Sequence, residues 1–110
     1  MKVTNYRDKE PVEEVKGVFR RDVITADDGA PLFTMRVLEV EPGSSTPSHS
    51  HEWEHEVFIL SGKGVVAGEQ GAIPINKEGV IFVAPHDPHC FVNTGNEPLR
   101  FICVIPLQKE

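Results

Sequence analysis

Cysteine, basic charge, long apolar runs and helical patterning are all scarce in this 110-residue chain. Each shortage removes a class of protein. The two cysteines, Cys90 and Cys103, lie in apolar stretches and do not form a Cys-x-x-Cys pair. They cannot build the disulfide framework of a small secreted domain, so reduced thiols are expected. Eleven Lys and Arg residues stand against 17 Asp and Glu, for a formal net charge of -6. A nucleic-acid-binding domain meets phosphate with a basic face, so no nucleic-acid partner is expected. No run approaches the roughly 20 apolar residues of a membrane span, and residues 1–7 lack a signal-peptide core. A cytoplasmic protein without a membrane partner is the expectation.

The only helical patterning is at residues 11–16, one short turn that Gly17 would end. Residues 1–17 therefore read as an N-terminal segment of strand or short turn, available as a dimer contact, and residues 18–110 as the main domain. The length suits a single domain with its own core. From residue 18 onward the chain is punctuated like an all-β protein. Apolar or mixed runs at 18–24, 32–40, 65–67, 72–75, 80–84 and 99–105 are separated by Gly, Pro, Asn or Asp. The run 80–84 is apolar throughout and reads as a buried strand, while residues 61–64 read as a hairpin connection. Short strands at this spacing predict a sandwich or barrel.

Histidine is what the chain does have. Of five, four are placed to converge: His49, His51 and His55 in one short segment, and His89 downstream. A His-x-His pair on an extended chain projects both rings to one face, because side chains alternate with period two. Glu52-Trp53-Glu54 reads as a loop, after which an apolar run lets His55 enter from the start of a new strand. His89 opens the strand that returns from the turn at 85–88. Neutral imidazole suits Zn, Cu, Fe, Ni and Mn, so the ligand type alone does not name the ion. His86 lies in the turn and reads as a surface residue. Trp53 reads as a loop anchor at the mouth of the site and Phe91 as pocket lining. Cys103, which shares strand parity with Phe101 and Ile105, is either pocket lining or a small buried apolar residue. Asn93 reads as a strand-end hydrogen-bonding group, and Glu56, Phe58 and Leu60 occupy the face opposite His55, supporting the sheet or a dimer contact.

These residues resemble the cupin superfamily. Its first motif is Gly, five residues, His-x-His, three or four residues, Glu, six residues and Gly, which Gly43, His49, His51 and Gly62 fit. His55 and Glu56 both fall near the glutamate position. They point to opposite faces of a strand, and His55 fits the spacing better. The second motif is matched by Gly79, Pro85, His89 and Asn93, with one residue fewer before the histidine and Asp87 where glycine is usual. The segment from His49 to Phe58 is similar to small single-domain cupins that hold manganese with four histidines, and the resemblance runs over about residues 18–106. It implies a jelly-roll β-barrel, a homodimer and a divalent metal, with manganese first and iron next. It also implies oxidation of a small organic substrate by dioxygen or peroxide. Four neutral ligands would leave the ion's charge uncompensated and make it a stronger Lewis acid than a site with a carboxylate. A non-enzymatic module that binds or senses a small ligand is the second reading, and sugar isomerase or epimerase chemistry the third. A closed tetrahedral zinc would instead be structural.

Overall fold

The computed structural model describes residues 1–108. Residues 109 and 110, counted above with the segment 18–110, lie outside the described residues. Nine strands follow in order: β1 (Val12–Val15), β2 (Val18–Ile24), β3 (Phe33–Val40), β4 (His55–Ser61), β5 (Lys63–Gly68), β6 (Gly71–Asn76), β7 (Val80–Val83), β8 (His89–Asn93) and β9 (Leu99–Pro106). Two single turns of 3-10 helix, Tyr6–Asp8 and Ala26–Asp28, are the other elements among the described residues. The strands form a six-stranded sheet, β1-β2-β3-β9-β4-β7, and a three-stranded sheet, β6-β5-β8. Every strand pairing is antiparallel. This is the all-β jelly roll that the punctuation and the resemblance predicted.

The core lies between the sheets. Along β9, Leu99, Phe101, Cys103 and Ile105 are buried while the alternate residues are partly exposed, which is the period-two signature of a strand with one covered face. Phe91 of the small sheet meets Phe101 of the large one with ring centroids 4.6 Å apart, joining the two layers. Asn93, 2% exposed, donates to the carbonyls of Val40 and Glu97 and accepts from the Gly95 amide. It ties the end of β8 to β3 and to the loop before β9.

The local readings need four corrections. Residues 11–16 are not helical: Val12–Val15 forms β1, which pairs with β2 through a turn at Gly17, whose φ is +81°. Val12 and Val15 stay exposed, so there was no buried face for a helix to gain, and the open edge of β2 takes the segment instead. Residues 61–64 do not close a hairpin. β4 belongs to the large sheet and β5 to the small one, so Gly62, with φ +86°, is the corner where the chain changes layers. The run at 80–84 is buried on one face only: Val83 is in the core and Ile81 packs against it, whereas Val80 and Phe82, on the other face of edge strand β7, are 77% and 63% exposed. An apolar run shows affinity for a partner surface but not whether both faces have one. Finally, His49 and His51 lie in a loop, where an isolated bridge to His89 replaces a continuous strand.

Candidate metal centre

The loop carrying His49 and His51 is fixed from two sides. The backbones of His49 and His89 exchange two hydrogen bonds, at 3.2 and 3.1 Å, and the His86 amide donates to the His51 carbonyl at 2.6 Å. The 85–88 turn therefore positions His51 through the backbone of a residue whose own side chain is exposed. His86 also takes the left-handed conformation, φ +66°, so the shortened second motif places its tight turn there and not at Asp87. His55 opens β4 opposite Val83, and His89 opens β8; both are buried, at 4% and 6% exposure.

Four rings meet between these elements. Centroid separations are 4.4 Å for His49–His51, 4.9 Å for His55–His89, 5.1 Å for His51–His55, 5.8 Å for His49–His89 and 6.3 Å for His51–His89. Imidazole nitrogens held about 2.1 Å from one ion put ring centroids about 4.6 Å apart at right angles and about 6.5 Å apart across the ion. The rings stand at such separations. Their nitrogens are not yet closed on a point: among the described residues, no three His, Cys, Asp or Glu side chains already form a coordination shell. The exposed His49 has the freedom to turn.

Of the two buried histidines, His89 has its tautomer set by an acceptor-only partner. His89 Nδ1 lies 2.9 Å from the Asp87 carbonyl, which can only accept, so the proton is on Nδ1 and Nε2 is a bare lone pair. His55 Nδ1 lies 3.3 Å from Cys103 Sγ, while its Nε2 is buried with no partner. A buried, unpartnered nitrogen on a ring beside two other imidazoles suits a ligand to a cation. Burial pushes His55 down to about 3, with the positive field of His89 and Arg36 adding to it. Burial likewise lowers His49 and His51, which favours the neutral form of these two rings and keeps their lone pairs available. Burial raises the Cys103 thiol, against the opposing pull of Arg36.

The rings line a cavity of about 290 Å³. The structure places Trp53, Phe91 and Cys103 on its wall, together with Leu38, Phe101 and Ile105. Trp53 stacks on His51, with centroids 4.6 Å apart and planes 9° from parallel. Glu52, Glu54 and Glu56 are exposed and line none of it. The lining residues missed from the sequence include three charged ones, Glu14, Arg20 and Arg36. For Arg36 a signal existed, since it shares the parity of Leu38 and Val40 and so had to face inward.

Residues 36–105 match the cupin domain family. The chain belongs to the cupin family. Among solved structures, this cupin is similar to the polyketide cyclase RemF of Streptomyces resistomycificus, with a TM-score of 0.90 and 34% identity, covering 98% of this chain and 80% of that one. It is also similar to a predicted oxalate decarboxylase of Thermotoga maritima, with a TM-score of 0.82 and 28% identity, over 97% of this chain and all of that one. Among curated proteins, it is 39% identical over 71 residues to the oxalate-binding protein of Thermotoga maritima, 64% of this chain and 59% of the relative. A glucose-6-phosphate isomerase of Pyrococcus abyssi is 38% identical over 64 residues, 53% of this cupin and 34% of the isomerase. The match thus spans less than two thirds of either curated relative. Cupins typically bind divalent metals, and the four rings gathered at the mouth of this fold have the donor chemistry for one.

Proposed function

We propose that this cupin holds a divalent ion through His49, His51, His55 and His89, manganese first and iron next, with zinc, nickel and copper compatible, and that it oxidises a small organic substrate with dioxygen or peroxide. The observation that carries the metal assignment is the buried Nε2 of His55, which has no partner, on a ring that lies beside those of His51 and His89. When bound, such an ion supplies Lewis acidity and redox chemistry at a centre whose ligands do not offset its charge. The chain's own residues do the rest. The Asp87 carbonyl holds the tautomer of His89, Cys103 contacts the His55 ring, Trp53 braces His51, and Phe91, Phe101 and Leu38 make one part of the cavity wall apolar.

Retention of a small ligand without turnover is the second reading, and the likeness to a protein named for oxalate binding favours it. Isomerase chemistry has weaker support: Glu14 is the only carboxylate on the cavity wall among the described residues, and it is engaged by Arg20. The protein is further proposed to be a cytoplasmic homodimer. The free thiols of Cys90 and Cys103 suit a reducing compartment, and exposed Phe58, Val80 and Phe82 form an uncovered apolar area on paired strands β4 and β7.

Elemental analysis of the purified protein, with anomalous diffraction at the manganese and iron edges, tests the metal assignment. One ion per chain, lost in His55→Ala, is the expected result. Oxygen or peroxide consumption by the manganese-loaded protein, abolished in the same variant, supports the oxidative reading; ligand binding without consumption sinks it. A four-coordinate zinc with no open position overturns the catalytic role altogether.

A further inference from the structure

Arg36 is a charged residue on the inner face of β3, opposite Cys103 of β9 and Asp22 of β2. One guanidinium nitrogen donates to Cys103 Sγ at 3.3 Å, while Nε is buried and has no hydrogen-bond partner. The carboxylates that could neutralise it are engaged elsewhere. Glu14 of β1 and Asp22 of β2 both bind Arg20, and Glu39 of β3 binds Arg21 at 2.9 Å. Among the described residues Arg36 makes no ion pair. On the cavity wall Arg20 is already engaged by two carboxylates, Glu14 and Asp22. Arg36 is thus the one guanidinium on the cavity wall with no carboxylate partner among the described residues, and an ion bound at the histidines would add positive charge near it.

A partly buried guanidinium with unmet donors costs free energy unless something satisfies it. We propose that Arg36 is the anion-recognition residue of this cavity and that the small organic ligand is a carboxylate, gripped by Arg36 while the histidine cluster faces another part of the same molecule. The inference rests on the cavity being the ligand site and deepens the proposed function by naming the ligand class. A carboxylate fits better than a phosphate. The planar fork of Arg matches a carboxylate edge or two phosphate oxygens equally well, but one unpaired guanidinium balances the single charge of a carboxylate and not the nearly double charge of a phosphate. Leu38, Phe91, Phe101 and Ile105 make part of the wall apolar, which suits the organic portion of such a ligand. The cavity volume of about 290 Å³ sets the scale, at the lower end of small-molecule sites.

Calorimetric titration of the manganese-loaded protein with malonate and benzoate, with their neutral amides, and with inorganic phosphate tests the assignment. Arg36→Gln is expected to weaken carboxylate binding roughly 10- to 100-fold, the loss typical of a buried charge-assisted hydrogen bond, and to leave amide binding unchanged. Arg36→Lys, which keeps the charge without the fork, should fall between. Metal content, measured separately, should be the same in all three proteins. Carboxylate affinity unaltered in both variants, amides binding the wild type as tightly as the acids, phosphate outcompeting both acids, or no carboxylate binding by the wild type would each overturn it. If the protein holds no ion at all, the metal assignment fails by itself. The titrations then run on metal-free protein, where the same dependence on Arg36 supports the inference and its absence overturns it.

Discussion

At the scale of single residues, Cys103 shows how one buried side chain serves two neighbours. Its sulfur lies 3.3 Å from His55 Nδ1 and 3.3 Å from the Arg36 guanidinium, so it steadies a histidine ring and a cation at once. Cys103→Ala removes the sulfur partner of both. Manganese affinity, measured by competition with a fluorescent chelator, is expected to fall on the order of 10-fold, as when an outer partner of a ligating histidine is lost. Cys103→Ser keeps an acceptor and should lose less; equal affinity in the alanine variant would show that the sulfur does not orient His55. The histidines themselves were legible because their spacing is unusual and their chemistry narrow. Arg36 was passed over although strand parity faced it inward, because an arginine on a strand is ordinarily solvated. Only the inventory of ion pairs around it shows that it has no carboxylate.

At the scale of elements, the decisive positions are corners. Gly62 and Gly43 have similar backbone angles, φ +86° and +81°, yet their surroundings differ. A Cβ at Gly62 would lie 2.5 Å from the Pro98 carbonyl oxygen and 2.8 Å from Leu99 Cα, whereas one at Gly43 would meet nothing within 4 Å. Gly43→Ala should therefore cost only the left-handed conformation, about 1 kcal/mol. Gly62→Ala adds a backbone clash that must move β9 or the corner, and a loss on the order of 3 kcal/mol or more is expected. Urea unfolding of the two variants separates the cases, and equal losses would mean that the corner yields. Strand positions such as Val18–Ile24 were readable from turn residues on either side. Pairing partners were not: the turn at Gly62 looks the same whether β5 folds back on β4 or crosses to the other sheet.

At the scale of the whole molecule, the large sheet has its inner face in the core and part of its outer face uncovered. The N-terminal segment crosses some of that outer face, where Tyr6 accepts a hydrogen bond from Arg100 of β9 and lies beneath the guanidinium of Arg21. Phe58 of β4 and Val80 and Phe82 of the edge strand β7 remain exposed, at 43%, 77% and 63%. An apolar edge of this kind invites a second copy or aggregation. Sedimentation equilibrium is expected to give a dimer for the wild type and a monomer for Phe58→Glu/Phe82→Glu with its fold intact by circular dichroism. A monomeric wild type, or an unaltered dimer in the double variant, would remove this surface from the interface.

The sequence by itself determined the class of fold and the identity of the four clustered histidines, because both are local: period-two alternation, turn residues and ligand spacing act within a few residues of one another. Tertiary structure alone decided which strands pair, which apolar run lies at an edge, which ring nitrogen is left bare and which cation goes unpaired. Those properties depend on what comes to lie opposite. His89 meets His49 across 40 positions, and Arg36 meets Cys103 across 67. The charge of the cavity is a sum over residues that only the closed fold brings together.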